Sequence, residues 1–199
     1  VFYEPFSVEP LVFAHQTVFG IPAIPDYRLD KCEFVVSFAC DFLENWISPV
    51  RFAHQFARLR DYRDGKIGRM VYVGPRLSMT AANADDFLHV PPGDEYRIAM
   101  AMLSIIASNG WARRDISPVM PLVRAFAPGS EQAPASVSVG LLEELARVFV
   151  EADGSGALSG PTAGWGPAAG RTAVAAALLN YAAGRIGQPQ VGGLRRAAI

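Results

Sequence analysis

Cysteine and histidine are both scarce here: the 199 residues hold two of the former and three of the latter. Zinc and iron–sulfur centres draw on three or four such ligands at short spacing. Cys32 and Cys40 stand eight apart, and Cys40 closes a predicted strand, so both read as ordinary buried thiols. Geometry disfavours a disulfide across one strand. His15, His54 and His89 are scattered among apolar neighbours and read as packing or surface groups. Charge is also scarce. Charged residues make up 19% of the chain and the net charge is -1, which leaves no overall footprint for nucleic acid or anionic lipid. No apolar run approaches the roughly 20 residues that span a bilayer, so no direct membrane insertion is expected. No G-x-G-x-x-G follows a predicted strand, and no phosphate loop with Gly-Lys-Ser/Thr occurs, which argues against an ordinary nicotinamide or ATP site. No Gly-x-Ser-x-Gly elbow is present either.

What is abundant is apolar: 51% of the residues are hydrophobic, enough for a well-buried core and against disorder. Residues 1–30, with four prolines, read as a lead-in segment. A short helix is predicted over Pro10–Phe19, with Ser7 as cap, Gly20 as stop, and Leu11, His15 and Val18 on one face. Phe34–Phe38, nearly continuous, and Met70–Val73 are short apolar runs, the pattern of strands buried on both faces in a parallel sheet. Between them Ser48-Pro49 opens a helix with Phe52, Phe56 and Leu59 on one side, and Asp64-Gly65 ends it. Ser78–Ala84 is predicted to make one or two helical turns, and Phe87–Val90 a third strand. Asp94–Ser108 is the clearest helix: Ile98, Met102, Ile105 and Ile106 keep helical spacing, Asp94 and Glu95 suit its N-terminus, and Asn109-Gly110 ends it. Short connections of this kind imply parallel neighbours and right-handed crossovers. Residues 31–111 thus form a nucleotide-binding-type βαβ core. Residues 112–137, again with four prolines, read as a surface excursion. Residues 138–199 complete the same domain with a helix at Gly140–Glu151, a strand at Gly156–Gly160, a glycine loop to Gly170 and a helix at Arg171–Ala183. The expected class is α/β, a Rossmann-like parallel sheet flanked by helices. Both ends read as cut, so the chain is expected to be a fragment of a larger multidomain subunit.

Open parallel sheets bind ligands beyond the carboxyl ends of their strands. Three such ends are legible, at Phe38–Glu44, Gly74–Ser78 and Pro91–Glu95, with the glycine loop Gly160–Gly166 as a fourth. Arg76 can pair with a phosphate, Ser78 or Thr80 can donate to one, and Asp41, Asp94 or Glu95 can accept from a ribose or a guanine edge. The competing reading is structural: Arg76 in an ion pair with Asp85 or Asp86, and Asp94 and Glu95 serving only the helix start.

The order Lys31–Phe38, then Val73-Gly74-Pro75-Arg76-Leu77-Ser78-Met79-Thr80-Ala81-Ala82-Asn83-Ala84-Asp85, then Pro92-Gly93-Asp94-Glu95 resembles the molybdopterin oxidoreductase family. The segment from Gly160 through Leu178-Leu179-Asn180-Tyr181 to Gly187 resembles that family's glycine loop and closing helix. The resemblance implies the Rossmann-like third domain of a large catalytic subunit, which helps to bind molybdopterin guanine dinucleotide. Carried over, the cofactor-facing positions are Asp41, Glu44, Gly74, Pro75, Arg76, Ser78, Thr80, Gly93 and Asp94, with no catalytic residue and no metal ligand among them. Three departures stand out. The family's Asp-Pro-Arg is Gly74-Pro75-Arg76, its Gly-x-Asn-Pro is Ala39-Cys40-Asp41-Phe42, and its Pro-Gly-Thr-Asp is Pro92-Gly93-Asp94-Glu95. The acidic position lost at Gly74 removes an acceptor worth roughly 1.5–3 kcal/mol in a well-made hydrogen bond.

These departures, with Ile24–Arg28 and Ser48–Ala53, are most similar to the quinone-linked branch of the family, of the menaquinone reductase and alternative complex III type. There the fold is kept without the metal–pterin site, and iron–sulfur clusters in other parts of the protein carry electrons. The implied partners are the rest of the same large subunit and the iron–sulfur and membrane subunits of a redox complex, and the implied location is the periplasmic face of a bacterial cytoplasmic membrane. Three functions follow: the dinucleotide-cofactor domain of a molybdenum or tungsten oxidoreductase, a cofactor-free structural domain of a respiratory subunit, or an unrelated nucleotide module. In each case the chain alone is expected to turn over nothing.

Overall fold

The computed structural model describes residues 7–62, 65–160 and 167–187, with the side chains of residues 167 and 168 left aside. Four strands, β1 (Phe34–Phe38), β2 (Arg69–Gly74), β3 (Asp86–His89) and β4 (Ser155–Ser159), form one sheet in the order β3-β2-β1-β4. Every pairing is parallel, with Val36 opposite Val71 and Ala157 in the centre. The helices are α1 (Glu9–Phe19), α2 (Pro49–Leu59), the single turn α3 (Met79–Ala82), α4 (Asp94–Ser108), the single turn α5 (Met120–Val123), α6 (Val139–Glu151) and α7 (Pro167–Ala182). The predicted α/β class and parallel sheet are what the chain adopts, with most boundaries shifted by a residue or two, α2 ending at Leu59, well before its predicted stop, and α7 starting four residues earlier.

Strand parity explains why both faces of the sheet are covered. Phe34, Val36 and Phe38 point to one side with Val71, Val73 and Ala157, where α4, α6 and part of α7 pack. Val35, Met70 and Leu158 point to the other, against Leu11 and Ala14 of α1 and Phe52 and Leu59 of α2. An all-apolar strand is stable only between two such layers. Residues 112–137 run through short helical turns and place Ile116, Val123 and Phe126 in the first of these cores. Apolar side chains spaced along a Pro-rich stretch thereby contribute burial that periodicity alone does not reveal.

Helix ends follow local chemistry. Gly20 ends α1 at φ 72, a left-handed conformation that glycine adopts without steric cost. Ser7 is not the N-cap of α1: that position is Val8, which has no side-chain cap bond, and Ser7 before it accepts from Glu9 N–H at 3.1 Å, while Ser48 precedes Pro49 without a side-chain cap bond. The C-terminus of α6 is closed by two guanidinium groups: Arg185 donates to the carbonyls of Val150, Ala152 and Asp153, and Arg113 to that of Val150. Carbonyl oxygens at a helix C-terminus carry the negative end of the dipole, so cations belong there.

Candidate functional site

The carboxyl ends of β1 and β2 bring most of the predicted site residues together. Asp41, on the turn after β1, is 1% exposed. Its Oδ1 accepts from the Tyr72 hydroxyl at 2.7 Å, and its Oδ2 accepts from Arg76 Nη2 at 2.7 Å. Burial and the Asp41 carboxylate raise the Tyr72 phenol above its ordinary range, so it stays protonated and donates. Glu44 lies 3.6 Å from Arg76 and accepts from Met79 N–H at 2.6 Å, which docks the start of α3 onto the β1 turn. Arg76, with 60% of its side chain exposed, therefore faces two carboxylates, Asp41 and Glu44. The structural alternative for Arg76, a pair with Asp85 or Asp86, is incorrect. Asp85 pairs with Arg60, and Asp86 with Arg69, because both acids sit at the amino end of β3, away from the strand end that carries Arg76.

The motif Thr80–Asp85 proves to be framework. Thr80 is fully buried, and its Oγ1 accepts from Leu43 N–H at 3.1 Å. Asp85 Oδ2 accepts from Met70 N–H at 2.7 Å, tying the start of β2 to that of β3. Ser78 caps α3 by accepting from Ala81 N–H at 3.1 Å. The Pro75 carbonyl accepts from His89 Nε2 at 3.1 Å, so this histidine braces the β2 turn.

Gly93 and Asp94 form a second group at the start of α4. Gly93 takes φ 94, and its N–H donates to Glu95 at 2.7 Å. Asp94 accepts from Ser136 and lies 3.8 Å from Arg97. These bonds run to α4 and its neighbours and not to the Asp41 cluster. Glu95 is fully buried, one carboxyl oxygen has no hydrogen-bond partner, and burial raises its pKa. The predicted glycine loop falls at residues 161–166, outside the described residues. Its first member, Gly160, is described: a Cβ there would lie 2.3 Å from the Ala39 carbonyl oxygen.

Gly74 and Ala39 are coupled sterically. Ala39 adopts φ 44, a left-handed conformation unusual for a residue with a Cβ. A Cβ added to Gly74 would lie 3.4 Å from the Ala39 Cβ and 2.8 Å from Tyr72 Cε1. Position 39 is glycine and position 74 aspartate in the family pattern noted above. This chain carries the reverse arrangement, a methyl group at the end of β1 and no side chain at the end of β2.

Tyr72 is the member that sequence reading missed. A tyrosine inside an otherwise aliphatic buried strand needs a partner for its hydroxyl, and its parity matches that of Gly74. Cys40 and Cys32 are both free and buried, as expected; burial pushes the Cys32 thiol up to about 12, and the Cys40 thiol is raised as well. Among the described residues no three His, Cys, Asp or Glu side chains are grouped to hold a metal ion, and no helix is long and apolar enough to cross a membrane.

A parallel α/β sheet with polar groups gathered at its carboxyl ends is the class of domain that binds nucleotides in open-sheet proteins. No family model matches the chain. It is 29% identical over 153 residues to the menaquinone reductase molybdopterin-binding-like subunit of Nitratidesulfovibrio vulgaris, covering 76% of this chain and 22% of that protein. It is 29% identical over 89 residues to the arsenate respiratory reductase molybdopterin-containing subunit of Chrysiogenes arsenatis, covering 44% of this chain and 10% of that one. The fold matches acetylene hydratase from Pelobacter acetylenicus with a TM-score of 0.68 and 15% identity, over 92% of this chain and 25% of that chain. The chain is thus similar in sequence to portions of these two subunits and in fold to part of the hydratase, and it spans well under a third of the length of each.

Proposed function

We propose that this chain is a structural domain within the large subunit of a respiratory redox complex of the molybdopterin-oxidoreductase type. In it the strand ends are closed by an internal ion network instead of holding molybdopterin guanine dinucleotide. The observation that carries this reading is Asp41: it is buried, and both its oxygens are engaged, by Tyr72 and by Arg76. The groups that would meet a pyrophosphate are committed to one another. Asp41 and Glu44 against Arg76 leave one negative charge in excess, and a further anion at about 5 Å meets repulsion on the order of 3 kcal/mol at an effective dielectric constant of about 20. The acidic nucleotide ligand cannot return at Gly74 without displacing Tyr72 or Ala39. The residues present therefore do not fit the dinucleotide.

The homology to subunits named for menaquinone reductase and arsenate respiration supports a role in respiratory electron transfer. By the same resemblance the partners are the remainder of the large subunit and iron–sulfur and membrane subunits, at the periplasmic face of a bacterial membrane. Iron–sulfur clusters belong to parts of the subunit outside this chain. The test is to purify the whole subunit, release bound pterin and guanine nucleotide by denaturation, and quantify both against protein. Far less than one equivalent of each is expected. Stoichiometric molybdopterin guanine dinucleotide that is lost on Arg76→Ala would overturn the proposal and make the chain a working cofactor domain.

A further inference from the structure

Taking the chain as a structural domain of a large subunit, we infer that the two turns beside Asp41 form a docking site for another part of that subunit. The segment that docks is apolar, bears a lysine or arginine, and stands at the strand ends in place of a dinucleotide. The turn after β2 is inverted in polarity. Along Leu77-Ser78-Met79-Thr80 the two polar side chains are buried, at 3% and 0% exposure, and the two apolar ones face solvent, at 65% and 57%. Globular surfaces ordinarily show the reverse. Ser78 and Thr80 are held inward by the backbone amides of Ala81 and Leu43, which leaves Leu77 and Met79 outward. The turn after β1 shows the same inversion. Asp41 is buried, while Ile47 is 41% exposed and Val50, at the start of α2, is 85% exposed. Ile47 also takes φ 22, a conformation that β-branched residues rarely adopt. Backbone strain and an apolar side chain in water are two costs at one residue, and cover by a partner removes the second.

Glu44 joins the two turns: it accepts from Met79 N–H at 2.6 Å and lies 3.6 Å from Arg76. A single exposed leucine needs no explanation, whereas several large apolar side chains on joined turns mark an interaction surface. Charge selects the occupant. Asp41 and Glu44 face one guanidinium, Arg76, which leaves one negative charge in excess. Interfaces bring opposite potentials together, so the docking segment carries a cation against Glu44, whose side chain is 25% exposed and within reach. The same excess disfavours a pyrophosphate or an anionic membrane surface. It also disfavours a second copy, because a two-fold contact would set two surplus carboxylates against each other. The chain covers 22% of the menaquinone reductase subunit that it resembles, so in a subunit of that size most of the polypeptide is a source for the segment.

In the whole subunit, assayed for bound pterin and guanine nucleotide, Leu77→Cys and Met79→Cys are expected to react with a maleimide about tenfold or more slowly when folded than after unfolding in urea. Peptide mapping keeps these sites apart from Cys32 and Cys40, which are buried. Unchanged thermal melts show that the variants fold. A benzophenone side chain introduced at Leu77 is expected to cross-link within the same polypeptide, to a peptide that contains lysine or arginine. Equal reactivity in the folded and unfolded subunit overturns the inference. So does a cross-link to a second copy, to another subunit, or to a peptide without a basic residue. Protection present only while a dinucleotide is bound overturns the structural-domain reading as well. Missing protection in a subunit that holds no dinucleotide overturns the docking alone.

Discussion

Asp41 and Arg76 form one ion pair, yet their surroundings differ sharply. Asp41 is buried, while the Arg76 side chain is 60% exposed. Removing the arginine strands a buried carboxylate with Tyr72 as its remaining side-chain donor, and an under-satisfied buried acceptor costs about 1–3 kcal/mol. Removing the charge at Asp41 leaves an exposed guanidinium that water solvates. Arg76→Ala is therefore expected to lower the free energy of unfolding in urea by about 1–2 kcal/mol, and Asp41→Asn, which keeps an acceptor for Tyr72, by less than half of that. Equal losses from the two variants would mean that the pair is not asymmetric in this way. Asp41 was legible as a candidate from its position after an apolar strand. Its partners were not, because Tyr72 and Arg76 lie 31 and 35 residues away in sequence and meet it through strand pairing.

At the level of elements, the ends of β1, β2 and β4 are fitted to one another so closely that their residues cannot be exchanged singly. Gly160 abuts the Ala39 carbonyl, and the space beside Gly74 is filled by Ala39 and Tyr72. Gly74→Asp is expected to destabilise the chain by about 1–3 kcal/mol through overpacking. Ala39→Gly in the same molecule should recover a good part of that loss, since it removes the Cβ that the new side chain would meet. A double-mutant cycle by thermal melting measures the coupling. Strict additivity would show that the two positions do not share this space. The same fitting explains why turn residues were harder to read than strands: a buried run declares itself by composition, but which strand end carries a methyl group depends on the neighbouring strand.

For the molecule as a whole, both faces of the sheet are buried, and ionisable groups caught inside set the response to pH. His15 on α1 is 3% exposed, its Nδ1 lacks a hydrogen-bond partner, and burial lowers its pKa from 6.5 to about 4. The folded state thus prefers the neutral ring, while the unfolded chain takes up a proton below about pH 6.5. The contribution is fully present above that value and is lost as the pH falls towards 4, an effect on the order of 3 kcal/mol. His15→Phe is expected to flatten this acid-side slope when urea midpoints are compared across the interval. A slope unchanged by the substitution would assign the acid sensitivity to other groups. Glu95 works in the opposite sense: its raised pKa means that the stability gained from the protonated form fades as pH rises through the ordinary glutamate range.

The sequence by itself determined the α/β class, the strands at Phe34–Phe38 and Met70–Val73, and the long helix from Asp94 to Ser108. Continuous apolar runs and three-and-four spacing are local signals, and burial on both faces of a parallel sheet is the physical outcome they demand. It also determined that Asp41, Glu44, Arg76, Ser78 and Thr80 would lie beyond strand ends. Only the tertiary structure decided what these residues do there. Thr80 and Asp85 bind backbone amides, Arg76 is taken by Asp41 and Glu44, and Gly93 and Asp94 make their bonds at the start of α4. Polar partnerships are long-range and one-to-one, so no periodicity in the chain encodes them, whereas apolar burial is collective and leaves its pattern in every run.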